Sequence, residues 1–240
     1  MRVLALDTTT RAGSVAIVED DRVIAERAGD DGRTHAERLP AEIVDLVAAT
    51  GLTLADIDLL AVASGPGSFT GLRIGIAAVQ GLAMVLRRRV VAVPSLDALA
   101  QIGSRGLEPP ARVAAWMDAH RRDVFAACYD VGAAQVFAPE RLVAVEGPTV
   151  GEPAAALERW SRLLDGAPVV FIGDGGVLYA DLIARAAPGA RVMPAPPLAA
   201  AIGLIAVARA RRGDAVDPSA VQPLYVRRPD AEVERERRSR

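Results

Sequence analysis

Within twelve residues, Ser64-Gly65-Pro66-Gly67-Ser68-Phe69-Thr70-Gly71-Leu72-Arg73-Ile74-Gly75, an apolar strand must turn into a helix with glycine in its interior. Gly65 and Gly67 admit backbone angles with φ > 0, and Pro66 fixes the bend between them. Ser68 is placed to cap the helix, which the apolar spacing carries from Phe69 to Leu86. Inside it Gly71, Gly75 and Ala78 recur every three or four residues, with Gly81 beyond. A glycine in a helix interior costs about 1 kcal/mol relative to alanine. The expected compensation is close approach of another backbone, either the chain's own sheet or a helix of another chain. Backbone N–H groups converging at the start of such a helix can also cradle an anion. The alternative is a plain strand-to-helix turn, since the lysine of a phosphate-binding P-loop is absent.

The composition suits close packing. Of 240 residues, 51% are apolar but only 4% are aromatic, and 47 are alanine. A core of Ala, Val, Leu and Ile lets helices lie close on a sheet. An apolar half with 24% charged residues excludes wholesale disorder. Every basic residue is arginine, and 28 of them face 30 acidic residues. That balance argues against an autonomous nucleic-acid binder, which needs a clustered cationic surplus. The single cysteine, Cys128, excludes an internal disulfide and a Cys-based zinc site, and reads as a small core residue in a strand. The apolar start Val3–Leu6 is too short for a signal peptide. The longest uncharged run, 192–208, is broken by Pro194, Pro196 and Pro197 and falls short of a membrane span. These features predict a soluble, cytoplasmic protein with no membrane contact.

Periodicity sets out the elements. Strands are expected at 3–7, 14–18 and 22–27, joined by short turns as an antiparallel meander. Thr34 and Glu37 form a capping-box pattern, and Leu39, Ile43, Leu46 and Val47 give the helix they open an apolar face. Pro40 predicts a kink, and Gly51 an end. A strand at 58–64, the helix 69–86, a strand at 90–93 and a short helix capped by Ser95 complete a βββαβαβα order with a parallel crossover. After the boundary at 103–110 the pattern restarts. Strands are expected at 112–117, 123–129 and 135–145, then a helix at 149–164, a strand at 169–172 and a helix at 177–187. A helix at 198–211 should pack back on the first lobe. The division expected is a first lobe at 1–106, a smaller second lobe at 107–194, a returning helical segment at 195–228 and a disordered Glu/Arg tail at 229–240.

Few residues carry chemistry. Asp7, Thr8 and Thr9 end the first strand, where they either face a nucleotide or cap a turn. With Gly65, Gly67 and Gly175, from the second Gly-rich turn Gly173-Asp174-Gly175-Gly176, they make the set that could flank a nucleotide cleft. His35 and His120 lie far apart in sequence, without the clustering a metal site needs, and read as surface or capping residues. Asp118–Asp123 reads as a charged hairpin turn. Gly65-Pro66-Gly67-Ser68 lacks the G-x-S-x-G elbow of a serine hydrolase.

Taken together, Leu4-Ala5-Leu6-Asp7-Thr8-Thr9, then His35-x-x-x-Leu39-Pro40, then the 64–75 segment closely resemble the TsaB (YeaZ) family, and Pro223-Leu224-Tyr225-Val226-Arg227 looks like the family's ending. The resemblance implies an α/β, actin-like (ASKHA, ribonuclease H-like) two-lobed fold with a mixed sheet and flanking helices in each lobe. It also implies a non-catalytic subunit that heterodimerises with the transferase TsaD, works with the ATPase TsaE, and self-associates as a homodimer when alone. The complex adds threonylcarbamoyl to the adenosine beside the tRNA anticodon, so tRNA is reached only through the complex. TsaD holds its metal with an HxxxH motif; by registration Ser95 and Leu99 stand in those places here, and neither replaces imidazole. No metal site and no cofactor are therefore expected in this chain, with ATP and metal belonging to the partners. Arg11 and Ala12, where TsaD has an acidic pair, argue against metal–ATP binding.

The family's mode of pairing places the partner contact on the helices 34–50 and 69–86, through His35, Arg38, Leu39, Glu42, Phe69, Thr70, Gly71, Arg73, Gly75, Ala78 and Gln80. The competing reading is an actin-like ATPase or metallopeptidase acting alone.

Overall fold

The computed structural model describes residues 1–227, so the tail expected at 229–240 lies outside the described residues. The first sheet holds β1 (Arg2–Asp7), β2 (Ser14–Glu19) and β3 (Arg22–Ala28) as the antiparallel meander. Then come α1 (His35–Ala49), β4 (Leu59–Gly65), α2 (Phe69–Leu86), β5 (Arg89–Pro94) and α3 (Ser95–Gly103). Its strand order is β3-β2-β1-β4-β5, with β1, β4 and β5 parallel.

The second unit contains β6 (Arg112–Asp118), β7 (Val124–Val131), β8 (Leu142–Gly151), α4 (Pro153–Arg159), α5 (Ser161–Leu164), β9 (Val169–Ile172), α6 (Asp174–Leu178), α7 (Ala180–Ala186) and β10 (Arg191–Met193), and α8 (Ala199–Arg211) follows. Its order, β8-β7-β6-β9-β10 read from the meander side, repeats that of the first sheet with the same strand directions. The architecture is thus duplicated, though the sequence carries no residue-level repeat.

Alternation along the strands sorts the layers. In β1, Leu4 and Leu6 join α1 and α2 on one face, while Val3 and Ala5 join α8 on the other. In β6, Val113, Ala115 and Met117 meet α3, while Ala114 and Trp116 meet α4 and α7. Helices α3 and α8 therefore lie against each other between the two sheets. The start of α8 is anchored from the meander. Ser14 Oγ accepts from Leu198 N at 3.2 Å and Ala199 N at 3.0 Å, and Glu26 Oε1 from Ala200 N at 2.8 Å.

Several local expectations give way to tertiary structure. Ser95 does not cap α3; Pro94 holds that position and the Ser95 hydroxyl is buried without a partner. The strand expected at 135–145 begins only at Leu142: the chain ahead of it makes a 3-10 turn at Pro139–Arg141, and the buried Arg141 guanidinium holds the Gly132 and Ala134 carbonyls. The helix expected from Thr149 starts at Pro153, since Thr149 and Val150 still pair with β7. It breaks at Trp160, just as the helix expected at 177–187 starts at Asp174 and breaks at Tyr179. The short parallel strand β10 gave no sequence signal.

The core is aliphatic under α1 and α2, as the composition suggests, but not under α4 and α7. There Trp116 meets Trp160 and Phe171 with centroids 5.9 and 5.3 Å apart. Cys128 lies in this cluster, and burial pushes its thiol up to about 11. At pH 8 only about one thiol in a thousand is then ionised. Iodoacetamide should leave Cys128 unmodified in the folded protein and label it fully in denaturant, as read by intact mass.

Candidate functional site

The turn after β1 is closed on itself. Asp7 Oδ1 accepts from Thr9 N at 2.9 Å and Thr9 Oγ1 at 2.6 Å. The carboxyl is 2% exposed, and desolvation, opposed by the Thr9 hydrogen bonds, raises its pKa. The glycine loop is packed on the same turn. Ser68 N donates to Thr9 O at 2.8 Å, and a Cβ on Gly67 would lie 2.5 Å from Thr9 Cβ. Ser68 Oγ caps α2 by accepting from Gly71 N at 3.2 Å. Gly65, at φ +109°, lies so close to the C-terminal segment that a Cβ would stand 2.8 Å from Leu224 O. Gly175 packs on the backbone of Met117 and Asp118.

Of the six residues expected to face a nucleotide, only Thr9 and Gly67 line the cleft between the lobes. Asp7, Thr8, Gly65 and Gly175 are buried behind it. As folded, the β1 turn and the glycine loop hold each other through Ser68 N and the close Gly67–Thr9 approach.

The small-residue stripe of α2 likewise faces inward. A Cβ on Gly71 would lie 2.0 Å from Thr8 O, and one on Gly75 2.2 Å from Thr8 Oγ1. The compensation for these glycines is thus the chain's own β1 turn, which corrects the expectation that Gly71 and Gly75 open the helix to another chain. Gly81 differs: a Cβ there would meet nothing within 4 Å.

Helix α1 also turns its polar motif inward. His35 Nε2 donates to Thr10 O at 3.0 Å, which leaves Nδ1 to accept from the Arg38 guanidinium at 2.8 Å. Burial, followed by the Arg38 charge, lowers the His35 pKa, so the neutral ring fits both bonds. Arg38 also donates to Ala12 O and grips both Glu42 oxygens at 2.7 and 2.6 Å. His35, Arg38 and Leu39 are buried, which corrects the surface reading of His35 and withdraws all three from an outer contact. Glu42 is half-buried in the Arg38 pair, and Gln80 donates to Pro218 O at 2.9 Å. Ala78 is half-buried.

Two features remain open to solvent. The first is the outward side of α1 and α2, where Pro40, Ala41, Val44 and Ala48 of α1 and Ala77, Gly81, Met84 and Val85 of α2 are exposed. Val85 is 81% exposed and Met84 73%. The second is a cleft of about 1170 Å³ between the lobes. Phe69, Thr70 and Arg73 line it, at the first turns of α2, rather than the outer face. Tyr225 closes one end: its ring meets Phe69 at 5.1 Å and its hydroxyl accepts from Arg73 Nε at 2.9 Å. Leu224 N donates to Ser64 O at 2.7 Å and Arg227 to Ala119 O at 2.8 Å, so this segment straps one lobe to the other. Sequence reasoning marked 223–227 only as a likeness, because a segment without periodicity shows no partner.

Two duplicated mixed sheets with α3 and α8 between them define an actin-like (ASKHA, ribonuclease H-like) two-lobed protein. The fold of a Clostridium difficile activator of 2-hydroxyisocaproyl-CoA dehydratase is alike, at 12% identity and TM-score 0.51 over 94% of this chain and all of that one. The family model of TsaD, tRNA N6-adenosine threonylcarbamoyltransferase, matches residues 26–233. An uncharacterized Mycobacterium tuberculosis protein is 36% identical over 95% of this chain and 93% of its own length. The Bacillus subtilis tRNA threonylcarbamoyladenosine biosynthesis protein TsaB is 30% identical, over 76% of this chain and 75% of that protein. The structure of YeaZ from Pseudomonas aeruginosa superposes with TM-score 0.74 at 32% identity, over 93% of this chain and 99% of that one. The chain belongs to the TsaB (YeaZ) family.

Proposed function

We propose that this chain is a cytoplasmic, non-catalytic subunit of tRNA threonylcarbamoyladenosine synthesis that docks a TsaD transferase on the outward side of α1 and α2, and through it works with TsaE. The observation that carries the reading is α2. Over its 18 residues the mean hydropathy is 1.6, high enough by length and composition for a membrane-crossing helix, yet only 33% of it is buried. One side lies on the sheet through Leu72, Ile76, Val79 and Ala83, which is the packing of a globular layer. The other side, with Ala77, Gly81, Met84 and Val85, is an apolar stripe of the kind that marks a protein contact. In the absence of the transferase a second copy of the chain covers the same stripe, giving a homodimer.

Other features support a role without catalysis. Among the described residues no group of three His, Cys, Asp or Glu side chains is placed to hold a metal. Ser95 and Leu99 are buried. Asp7 is taken up by Thr9. Metal and ATP are assigned to the partners.

Reconstitution tests the reading. With TsaD, TsaE, the adenylate-forming enzyme, ATP and tRNA, modification should fall to background when this chain is left out, and the chain alone should hydrolyse neither ATP nor peptide. Full modification without it refutes the subunit role, and metal-dependent hydrolysis by the chain alone supports the enzyme reading.

A further inference from the structure

The rim of the interlobe cleft concentrates arginine in a chain whose net charge is −2. Arg11, Arg33 and Arg73 come from three separate segments of the first lobe, and none is ion-paired to a carboxylate among the described residues. Across the cleft stand His120 and Arg121. Against them are Asp31, Asp118 and Asp174. Asp118 is occupied by His120, through N at 2.8 Å and Nδ1 at 3.2 Å, and Asp174 accepts from the backbone N of Asp118 and Gly175.

The second-lobe rim is held under strain. His120, Arg121 and Arg122 have φ of 58°, 54° and 70°, three consecutive non-glycine residues in the left-handed region. Glycine or asparagine would relieve that turn. The chain instead keeps three basic residues in this turn, two of which, His120 and Arg121, line the cleft, and such outliers concentrate at ligand clamps. At the first-lobe rim is a cation–aromatic cluster: the Arg73 guanidinium lies 3.9 Å over the Phe69 ring, the Tyr225 ring is tilted at 30° to it with centroids 5.1 Å apart, and both rings are more than a third exposed.

We infer that this cleft binds a single-stranded RNA segment, with its phosphates on the arginine rims and a base stacked at the Phe69–Arg73–Tyr225 cluster. Dispersed cations together with exposed aromatic rings suit a strand that runs along a groove. A lone nucleoside triphosphate needs convergent N–H donors and a metal-holding carboxylate, and here those turns are closed. Such binding departs from the expectation that tRNA is reached only through the complex. The choice of RNA as the polymer rests on the function proposed above; the site rests on its own geometry.

Fluorescence anisotropy of a labelled 12-nucleotide RNA with the full chain tests this. Three phosphate contacts give a log–log salt slope of about −2, so affinity should fall roughly 20-fold between 50 and 200 mM salt. In the Arg11→Gln/Arg33→Gln variant, affinity at low salt should drop at least about 10-fold and the slope should shrink to about −0.7. Gly81→Glu, on the outward side of α2, should bind RNA as the wild type does even though docking to the transferase is lost, which separates this proposal from the previous one. No binding at 50 mM salt, or the wild-type slope in the double variant, overturns the site. Displacement of the RNA by micromolar ATP overturns it in favour of a mononucleotide pocket.

Discussion

Arg141→Met is expected to lower the unfolding free energy by about 3–5 kcal/mol, the combined cost of leaving several buried and half-buried acceptors unpaired. Arg141 is 5% exposed. Its guanidinium donates to Ser104 O and Leu107 O, both at 2.6 Å, to Gly132 O at 2.7 Å, to Ala134 O at 3.1 Å and to Ser104 Oγ at 3.2 Å. The charge is neutralised by converging carbonyl dipoles rather than by a carboxylate. Those carbonyls end α3 and shape the turn after β7, so one side chain closes the join between the two lobes. Methionine fills most of the volume but leaves five acceptors without this donor, the two Ser104 oxygens buried and the Leu107, Gly132 and Ala134 carbonyls half-buried, where each fully buried one costs about 1–3 kcal/mol before relaxation. Against a typical total of about 5–15 kcal/mol this is a large fraction. Urea unfolding should show a much lower midpoint, with Arg141→Lys between the two. A loss under about 1 kcal/mol would contradict this assignment.

The two sides of α2 should respond oppositely to substitution of glycine. Gly75→Leu is expected to cost about 3 kcal/mol, the upper part of the usual range for overpacking. Its first side-chain carbon would already lie 2.2 Å from Thr8 Oγ1, on a residue that is fully buried, so helix and β1 turn must part. Weakened pairing in that variant would follow from damage to the first lobe and says nothing about where a partner sits. Gly81, with open space around it, should behave as an ordinary exposed helix position. Gly81→Glu should leave stability unchanged or raise it by up to about 1 kcal/mol, because the glycine penalty is removed. The Gly75→Leu and Gly81→Glu proteins should therefore separate clearly in the same thermal melt.

This contrast also shows what the sequence could and could not disclose. The limits of α2, the meander and the capping box at Thr34 and Glu37 were legible because they rest on local chemistry. Glu37 Oε2 indeed accepts from Thr34 N at 2.8 Å. The restart of the pattern after 103–110 was legible in the same way, although the last strand, β10, was not. The direction in which the glycines face was not legible, since a stripe of small residues looks alike whether it meets the chain's own turn or another molecule. For the same reason His35 read as a surface or capping residue and both His35 and Arg38 as partner contacts: their acceptors, Thr10 O and Ala12 O, lie on a backbone turn that periodicity does not place. Arg141 and Tyr225 gave no signal because an isolated polar residue in a loop declares nothing until distant carbonyls and rings gather around it. Asp7 and the glycine loop illustrate the converse. Their residue types match a nucleotide site, while Asp7 Oδ1 is bonded to Thr9 and Ser68 N to Thr9 O within the chain.

The central question is whether the outward side of α1 and α2 is the docking surface. Sedimentation velocity of this chain mixed with its TsaD partner, comparing wild type with Gly81→Glu, tests it directly. A glutamate buried there without a countercharge should weaken association at least about 100-fold, because burying an unpaired charge costs several kcal/mol. The expected result is a heterodimer with the wild type and separate species with the equally stable variant. A Gly81→Glu protein that co-sediments with the transferase as well as the wild type does would contradict the docking assignment.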